Sequence, residues 1–232
     1  MAISWQTIAI PVLLAYDCFF LFNVYDWHVT HGHVKGHQVL YRANYVFPDY
    51  LTVFDMKDSF VLYAHILTAV LPLLISPIQV WKAVRSRSIT RHRWMGRACL
   101  ASSLITGVPT LYLATRVIDN GLAEDVLVVV AALLWILSAV LTWYYAWTKQ
   151  IPRHRRWAVR FTVLTHSVPV GSRIVGTLLY LSWGRPSAWS IDPPASSHPR
   201  LFPWMIWITV LTLIPLCEVF VYLENPEPKK RA

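Results

Sequence analysis

Six apolar stretches of membrane-spanning length, separated by loops of alternating charge, constrain this chain more than any motif in it. A hydrocarbon core about 30 Å thick takes roughly 20 apolar residues as a helix. The sequence offers such stretches near 4–24, 59–82, 95–115, 126–147, 157–183 and 202–223. With 56% hydrophobic residues in 232, they occupy more than half of the chain and leave no room within it for a separate soluble domain. The expected class is all-α: one polytopic membrane domain over residues 1–232 with six transmembrane helices. The loops after the second and fourth stretches carry Lys82, Arg85, Arg87, Arg91 and Arg93, then Lys149, Arg153, Arg155 and Arg156. With Lys229, Lys230 and Arg231 they make twelve cations on one side, against six on the other (Lys35, Arg42, Lys57, Arg116, Arg185, Arg200). The positive-inside bias then puts both termini in the cytoplasm.

Trp5, Trp27, Trp81, Trp94, Trp147, Trp157, Trp183 and Trp204 fall near span ends, the level at which amphipathic rings meet headgroups. The net charge of +9 sits in short loops, so membrane lipids with anionic headgroups, and no nucleic acid, are the expected partners. The first stretch reads as a retained span. It has no basic segment before it, outruns a signal-peptide core, and contains Asp17. Cys18, Cys99 and Cys217 lie within spans at no metal-binding spacing and read as small packing residues.

An internal echo organises the middle. Arg91-His92-Arg93-Trp94 with Arg97 opens the third stretch, and Arg153-His154-Arg155-Arg156-Trp157 with Arg160 opens the fifth. In each an Arg follows the Trp by three residues, on one helix face. Pro109 and Pro169 then interrupt the two helices. The pattern predicts a parallel pseudo-repeat of two hairpins in a four-helix core, flanked by the first and sixth spans. Read singly, each motif is an interfacial anchor, with Arg97 and Arg160 reaching to headgroups.

His65, the Ser76-Pro77-Ile78-Gln79 stretch, "HRWMGR" from His92 to Arg97 and "HRRWAVR" from His154 to Arg160, with Arg173 beyond, resemble the multi-pass membrane family catalogued as domain of unknown function 2306. The resemblance covers about residues 60–175. It departs from the family at Ser76-Pro77-Ile78-Gln79, where Gly-Pro-Phe-Gln is usual, and His166 is not an expected family feature. The resemblance implies the membrane fold and the shared polar positions, and no reaction.

Ionisable groups inside a span cost about 2.5–3.5 kcal/mol each on insertion scales, so they come with partners or a task. At about 1.5 Å of rise per residue, Asp17, His65 and Arg173 share a depth roughly 9–15 Å below the outer boundary. His166 lies on the face of Arg173, with Pro169 between them to free a backbone carbonyl. This set, Asp17, His65, Arg173 and His166, is the candidate catalytic layer; its alternative is an Asp17–Arg173 ion pair with His65 bonded to nearby backbone. Near the basic rim, Gln79, Arg97, Arg160 and Glu218 form a second layer, in which Glu218 pairs with Arg97 or Arg160. The first external loop adds His28, His31, His33 and His37, a set able to bind zinc or copper or simply to be solvated.

Three functions fit these residues. One is an intramembrane enzyme of the isomerase or cyclase type acting on a lipophilic small molecule, with His65 as general acid or base tuned by Asp17, Arg173 binding an oxygen, and Tyr16, Tyr63, Tyr112 and Tyr180 as lining. Another is a b-type haem protein with axial ligands drawn from His92, His154, His65 and His166. The third is a non-catalytic transporter, accessory protein or sensor. The sequence specifies no cofactor and no oligomeric state.

Overall fold

The computed structural model describes residues 5–25, 33–35, 38–43, 50–116, 122–171, 174–175, 178 and 201–224. In chain order these form α1 (Trp5–Tyr25), β1 (His33–Lys35), β2 (Gln38–Ala43), β3 (Tyr50–Asp55), α2 (Met56–Val80), α3 (Lys82–Arg87), α4 (Ile89–Arg116), α5 (Leu122–Trp147), α6 (Ile151–His166), a π turn (Ser167–Gly171) and α7 (Leu201–Glu224). Among the described residues three helical segments are long and apolar enough to cross a membrane: Phe60–Val80, Ile89–Thr115 and Val126–Trp147. α1 and α7 supply shorter apolar segments, Ile8–Phe19 and Trp207–Val219.

The stretch expected at 157–183 takes a different form. α6 starts earlier, at Ile151, and its first ten residues carry Arg153, His154, Arg155, Arg156 and Arg160, too much charge for a continuous apolar span. Its regular geometry ends at His166 and the chain widens into the π turn. Pro169 has no N–H for the carbonyl four residues back, so the hydrogen-bond ladder slips there.

α2, α4, α5 and α6 form a ring. α4 packs on α2 and α5, and α6 packs on α5 and α2, so α4 and α6 occupy opposite corners. α1 lies against α2 and the π turn, and α7 against α6, the π turn and α5. α3 joins α2 to α4. α5 ends in a tight reversal in which Lys149 takes φ 58°, Gln150 N–H donates to the Tyr145 carbonyl and Lys149 N–H to that of Ala146. This is the left-handed helix stop usually filled by glycine. It turns the chain back into α6, so His92 and His154, each in a first turn, stand at the same basic end of the ring.

Small and hydroxyl side chains line the contacts: Cys99, Ser103, Thr106, Ala114, Ala132, Ser138 and Ala139 are buried. Larger groups pack around Cys99, Leu100, Ala139 and Phe161, where Trp135 stacks on Phe161 at 6.3 Å. Leu67, Ile105, Val108, Leu133 and Leu137 stay exposed on the outside. That inside-small, outside-apolar arrangement is what helices need when lipid, not water, surrounds them.

Hydrogen bonds stitch the ring corner by corner. Pro72 leaves the Thr68 carbonyl without its helical donor, and Ser102 Oγ of α4 donates to it at 2.6 Å. Thr162 Oγ1 of α6 donates to the Ser76 carbonyl of α2 (3.3 Å), and Trp135 Nε1 of α5 to Thr165 Oγ1 of α6 (2.9 Å).

Between α1 and α2 the sequence reads as a loop; the structure adds a small antiparallel sheet there, of order β1-β2-β3. Gln38–Ala43 pairs along its length with Tyr50–Asp55, both rich in the β-branched and aromatic residues that fit a pleated surface. Lys35 pairs with Gln38, leaving two residues between β1 and β2, the first of them Gly36.

Candidate functional site

Asp17 is the only charged residue of α1 and is completely buried, 0% exposed, where α1 meets the end of α6. Its Oδ2 lies 3.1 Å from His166 Nε2. The other ring nitrogen, Nδ1, lies 2.7 Å from the Thr162 carbonyl. A carbonyl only accepts, so Nδ1 carries a hydrogen, and the contact between Nε2 and Oδ2 then needs one further proton on its line. Imidazolium against carboxylate and imidazole against carboxylic acid both meet this count. The pair is neutral overall in either form, which suits a buried site. Asp17 Oδ1 is also buried and has no hydrogen-bond partner among the described residues.

His65 does not join this pair. Its Nδ1 lies 3.0 Å from Thr110 Oγ1 on α4, and that hydroxyl donates to the Thr106 carbonyl at 2.7 Å. The hydroxyl hydrogen being spent, His65 Nδ1–H is the donor, and Nε2 is left as an acceptor without a partner among the described residues. Arg173 and Tyr180 lie outside the described residues, and Tyr63 is exposed on the bundle surface.

At the basic end, Glu218 of α7 accepts two bonds from Arg160, at 2.6 Å from Nε and 2.6 Å from the second amino group. Arg97 instead lies over Trp94, 5.2 Å from the ring centroid, as Arg160 lies over Trp157 at 4.6 Å. The Trp-to-Arg spacing thus gives the same cation–π stack in both segments. Gln79 of α2 faces Gly96 of α4: a Cβ at Gly96 would come within 3.2 Å of Gln79 Oε1, so two of the motif stretches meet at a close helix approach.

His154 Nδ1 donates to the Thr142 carbonyl of α5 at 3.0 Å, which leaves its Nε2 unspent. His92 is within electrostatic range of it across the ring. His166 has both nitrogens engaged and offers no free nitrogen to an iron. Of the external histidines, His33 stands in β1 opposite Leu40, while His28, His31 and His37 lie outside the described residues. Among the described residues no three His, Cys, Asp or Glu side chains gather closely enough to hold a metal ion.

Burial holds His154 below the ordinary imidazole range, Arg85 and Arg155 push the same way, and the Thr142 carbonyl opposes them. A depressed folded-state pKa means that the unfolded chain binds the proton first. Stability is therefore expected to fall as pH drops below about 6.5, the ordinary histidine value. Thermal midpoints in detergent from about pH 7.5 to about pH 5 measure this, and His154→Gln, which keeps a donor for Thr142, should flatten that part of the profile.

Sequence reasoning did not find Thr110, Thr162 or Thr142 as partners of the histidines. Two of these contacts use backbone carbonyls, which carry no residue signature. The third, Thr110, directly follows Pro109, and its register toward α2 is set only by helix packing.

Apolar helices with lipid-type surfaces, tied together by buried polar bonds, define a multi-pass integral membrane protein. The chain belongs to the family described as "Predicted membrane protein (DUF2306)", whose model matches residues 62–191, more than half of its length. His65, His92, His154 and His166 fall inside the match, and Asp17 and Glu218 outside it. No curated protein and no solved structure matches the chain.

Proposed function

We propose that the chain crosses the membrane six times, with both termini in the cytoplasm, and that the Asp17–His166 pair is an acid/base centre acting on a lipophilic small molecule. The observation that carries this reading is the buried 3.1 Å contact between Oδ2 and Nε2, which requires one proton on its line, beside a carboxylate oxygen that no described residue bonds. Such a pair suits isomerisation. It delivers its proton to one carbon of an alkene, leaving the other alkene carbon cationic, and takes a proton back from the carbon next beyond that centre, so the double bond moves by one position and no oxidant is consumed. A prenylated or polyene substrate would arrive laterally beside α1, which stands at the edge of the ring against α2, the π turn and the end of α6. Six crossings are supported by the way α1, α6 and α7 pack along the three long helices. The parallel repeat is supported by α4 and α6 standing at opposite corners with equivalent Trp–Arg stacks.

The test is deuterium uptake. The purified chain is incubated in heavy water with prenyl alcohols, prenylated quinols and polyenes, and products are read by mass spectrometry. Carbon-bound deuterium or a shifted double bond is expected with the wild type and is lost in Asp17→Asn and His166→Gln, both still folded by circular dichroism. Conversion that persists unchanged in Asp17→Asn sinks the reading, as does a wild type inert toward every class.

A second reading, electron transfer through a b-type haem, is favoured by one observation: the bond from His154 Nδ1 to the Thr142 carbonyl fixes the ring and leaves Nε2 unspent at the level of His92. The absorption spectrum of protein expressed with added haem, oxidised and then dithionite-reduced, decides it. Sharp reduced bands that vanish in His154→Ala support it, and a bare protein spectrum removes it.

A further inference from the structure

At the basic end, Tyr145, Arg153, Arg156, Trp157 and Arg160 enclose an open recess of about 320 Å³ between α5 and α6. Its three guanidinium groups are not equivalent. Arg160 is neutralised by Glu218 and stacked on Trp157. Arg153 is held only by uncharged partners, Gln150 Oε1 at 2.8 Å and the face of Tyr145 at 5.7 Å. Arg156 is half-buried and makes no hydrogen bond or ion pair among the described residues. No Asp or Glu occurs anywhere from Tyr145 to Arg160. Among the described residues two positive charges are therefore left without an acidic partner in one concave place; Arg153 is exposed, and Arg156, half-buried, is screened less by water and salt than on an open surface.

We infer that this recess is a binding site for a phosphate ester, whose oxygens are taken by the forks of Arg153 and Arg156. A guanidinium matches two oxygens of a phosphate at once, and pairs of this kind are among the strongest hydrogen bonds available to a protein. Tyr145 and Trp157 set the level of the site, since such rings settle where headgroups begin. Beside it, Trp147, Ile151 and Tyr144 are exposed on the outer surface and offer an apolar bed for acyl chains. A glycerophospholipid with an anionic headgroup satisfies both halves of this surface. A soluble phosphate ester satisfies the polar half alone. The site lies apart from Asp17 and His166 and does not depend on the acid/base reading.

The full chain, purified in a non-ionic detergent, is examined by native mass spectrometry with phosphatidylglycerol, with phosphatidylcholine, and with glycerol phosphate as the soluble arm. Preferential retention of phosphatidylglycerol is expected, falling about tenfold or more in Arg153→Gln/Arg156→Gln. Arg91→Gln/Arg93→Gln removes the same charge from the same end and should leave retention unchanged. Arg153→Lys/Arg156→Lys keeps the charge without the fork and should fall between, so the test survives if the Gln pair unfolds. Binding of glycerol phosphate with the same dependence on Arg153 and Arg156, and none of the lipid, assigns the site to a soluble ester. Retention unaltered by both Arg153/Arg156 variants, or lost equally in Arg91→Gln/Arg93→Gln, overturns the inference.

Discussion

Asp17→Ala is expected to destabilise the protein by about 3–5 kcal/mol, the range for breaking a buried ion pair from one side. The cost arises from what is left behind. His166 stays anchored through Nδ1 to the Thr162 carbonyl, so its Nε2 keeps the same position with nothing to bond. Asp17→Asn should cost far less. With a hydrogen on Nδ1, the neutral imidazole presents a bare Nε2, and an asparagine amide can donate to it in place of the shared proton. Unfolding of the two variants in mixed detergent, followed by circular dichroism, measures the difference. Equal losses in both would mean that the proton on the Oδ2–Nε2 line is not what holds the pair. The contrast also separates stability from chemistry, since Asp17→Asn keeps the hydrogen bond and removes the acid.

The second large effect is expected at Gly171, the last residue of the π turn. A Cβ there would stand 2.5 Å from Thr209 Cγ2 and 2.9 Å from Leu213 Cδ1, both on α7. Thr209 is buried, with 1% of its surface exposed, and cannot swing aside. Gly171→Ala must therefore push α7 away from the turn, at about 1–3 kcal/mol, the usual cost of overpacking. Gly107→Ala is the control. Its new Cβ would meet only the outer atoms of Ile136, at 2.9 and 3.0 Å, and that side chain is long and half-buried. Its loss should be the smaller one. Because α7 also carries Glu218, Gly171→Ala should loosen the Arg160–Glu218 contact, which a disulfide-trapping pair on α6 and α7 would register as slower cross-linking.

What the sequence made readable follows from which forces leave a local trace. The helices containing 60–80, 89–115 and 126–147 were legible because hydropathy is a sum over neighbours along the chain. In the fifth stretch the sequence placed Arg153 to Arg160 at the opening of the helix, but it did not show that regular geometry ends at His166, ahead of Pro169. Asp17 stood out as a lone carboxylate in an apolar run. Its partner did not, because depth along the membrane groups it with His65 and Arg173 alike. Contact with His166 depends on which corner of the ring α1 docks against, and no periodicity encodes that. The strand pattern of 38–43 and 50–55 was present in the residues, yet a sheet becomes visible only when two short segments are known to pair.

The Asp17–His166 contact joins residues 149 positions apart. A ribosome adding about 5–20 residues per second makes His166 about 7–30 s after Asp17. In the six-span topology proposed above, the first helix carries a carboxyl group into the bilayer throughout that interval, ahead of the side chain that will satisfy it. Completion of the pair is therefore a late event in biogenesis. Chains stalled or truncated before α6 retain an unsatisfied acid in their first helix, a feature by which membrane quality control can tell an unfinished copy from a finished one.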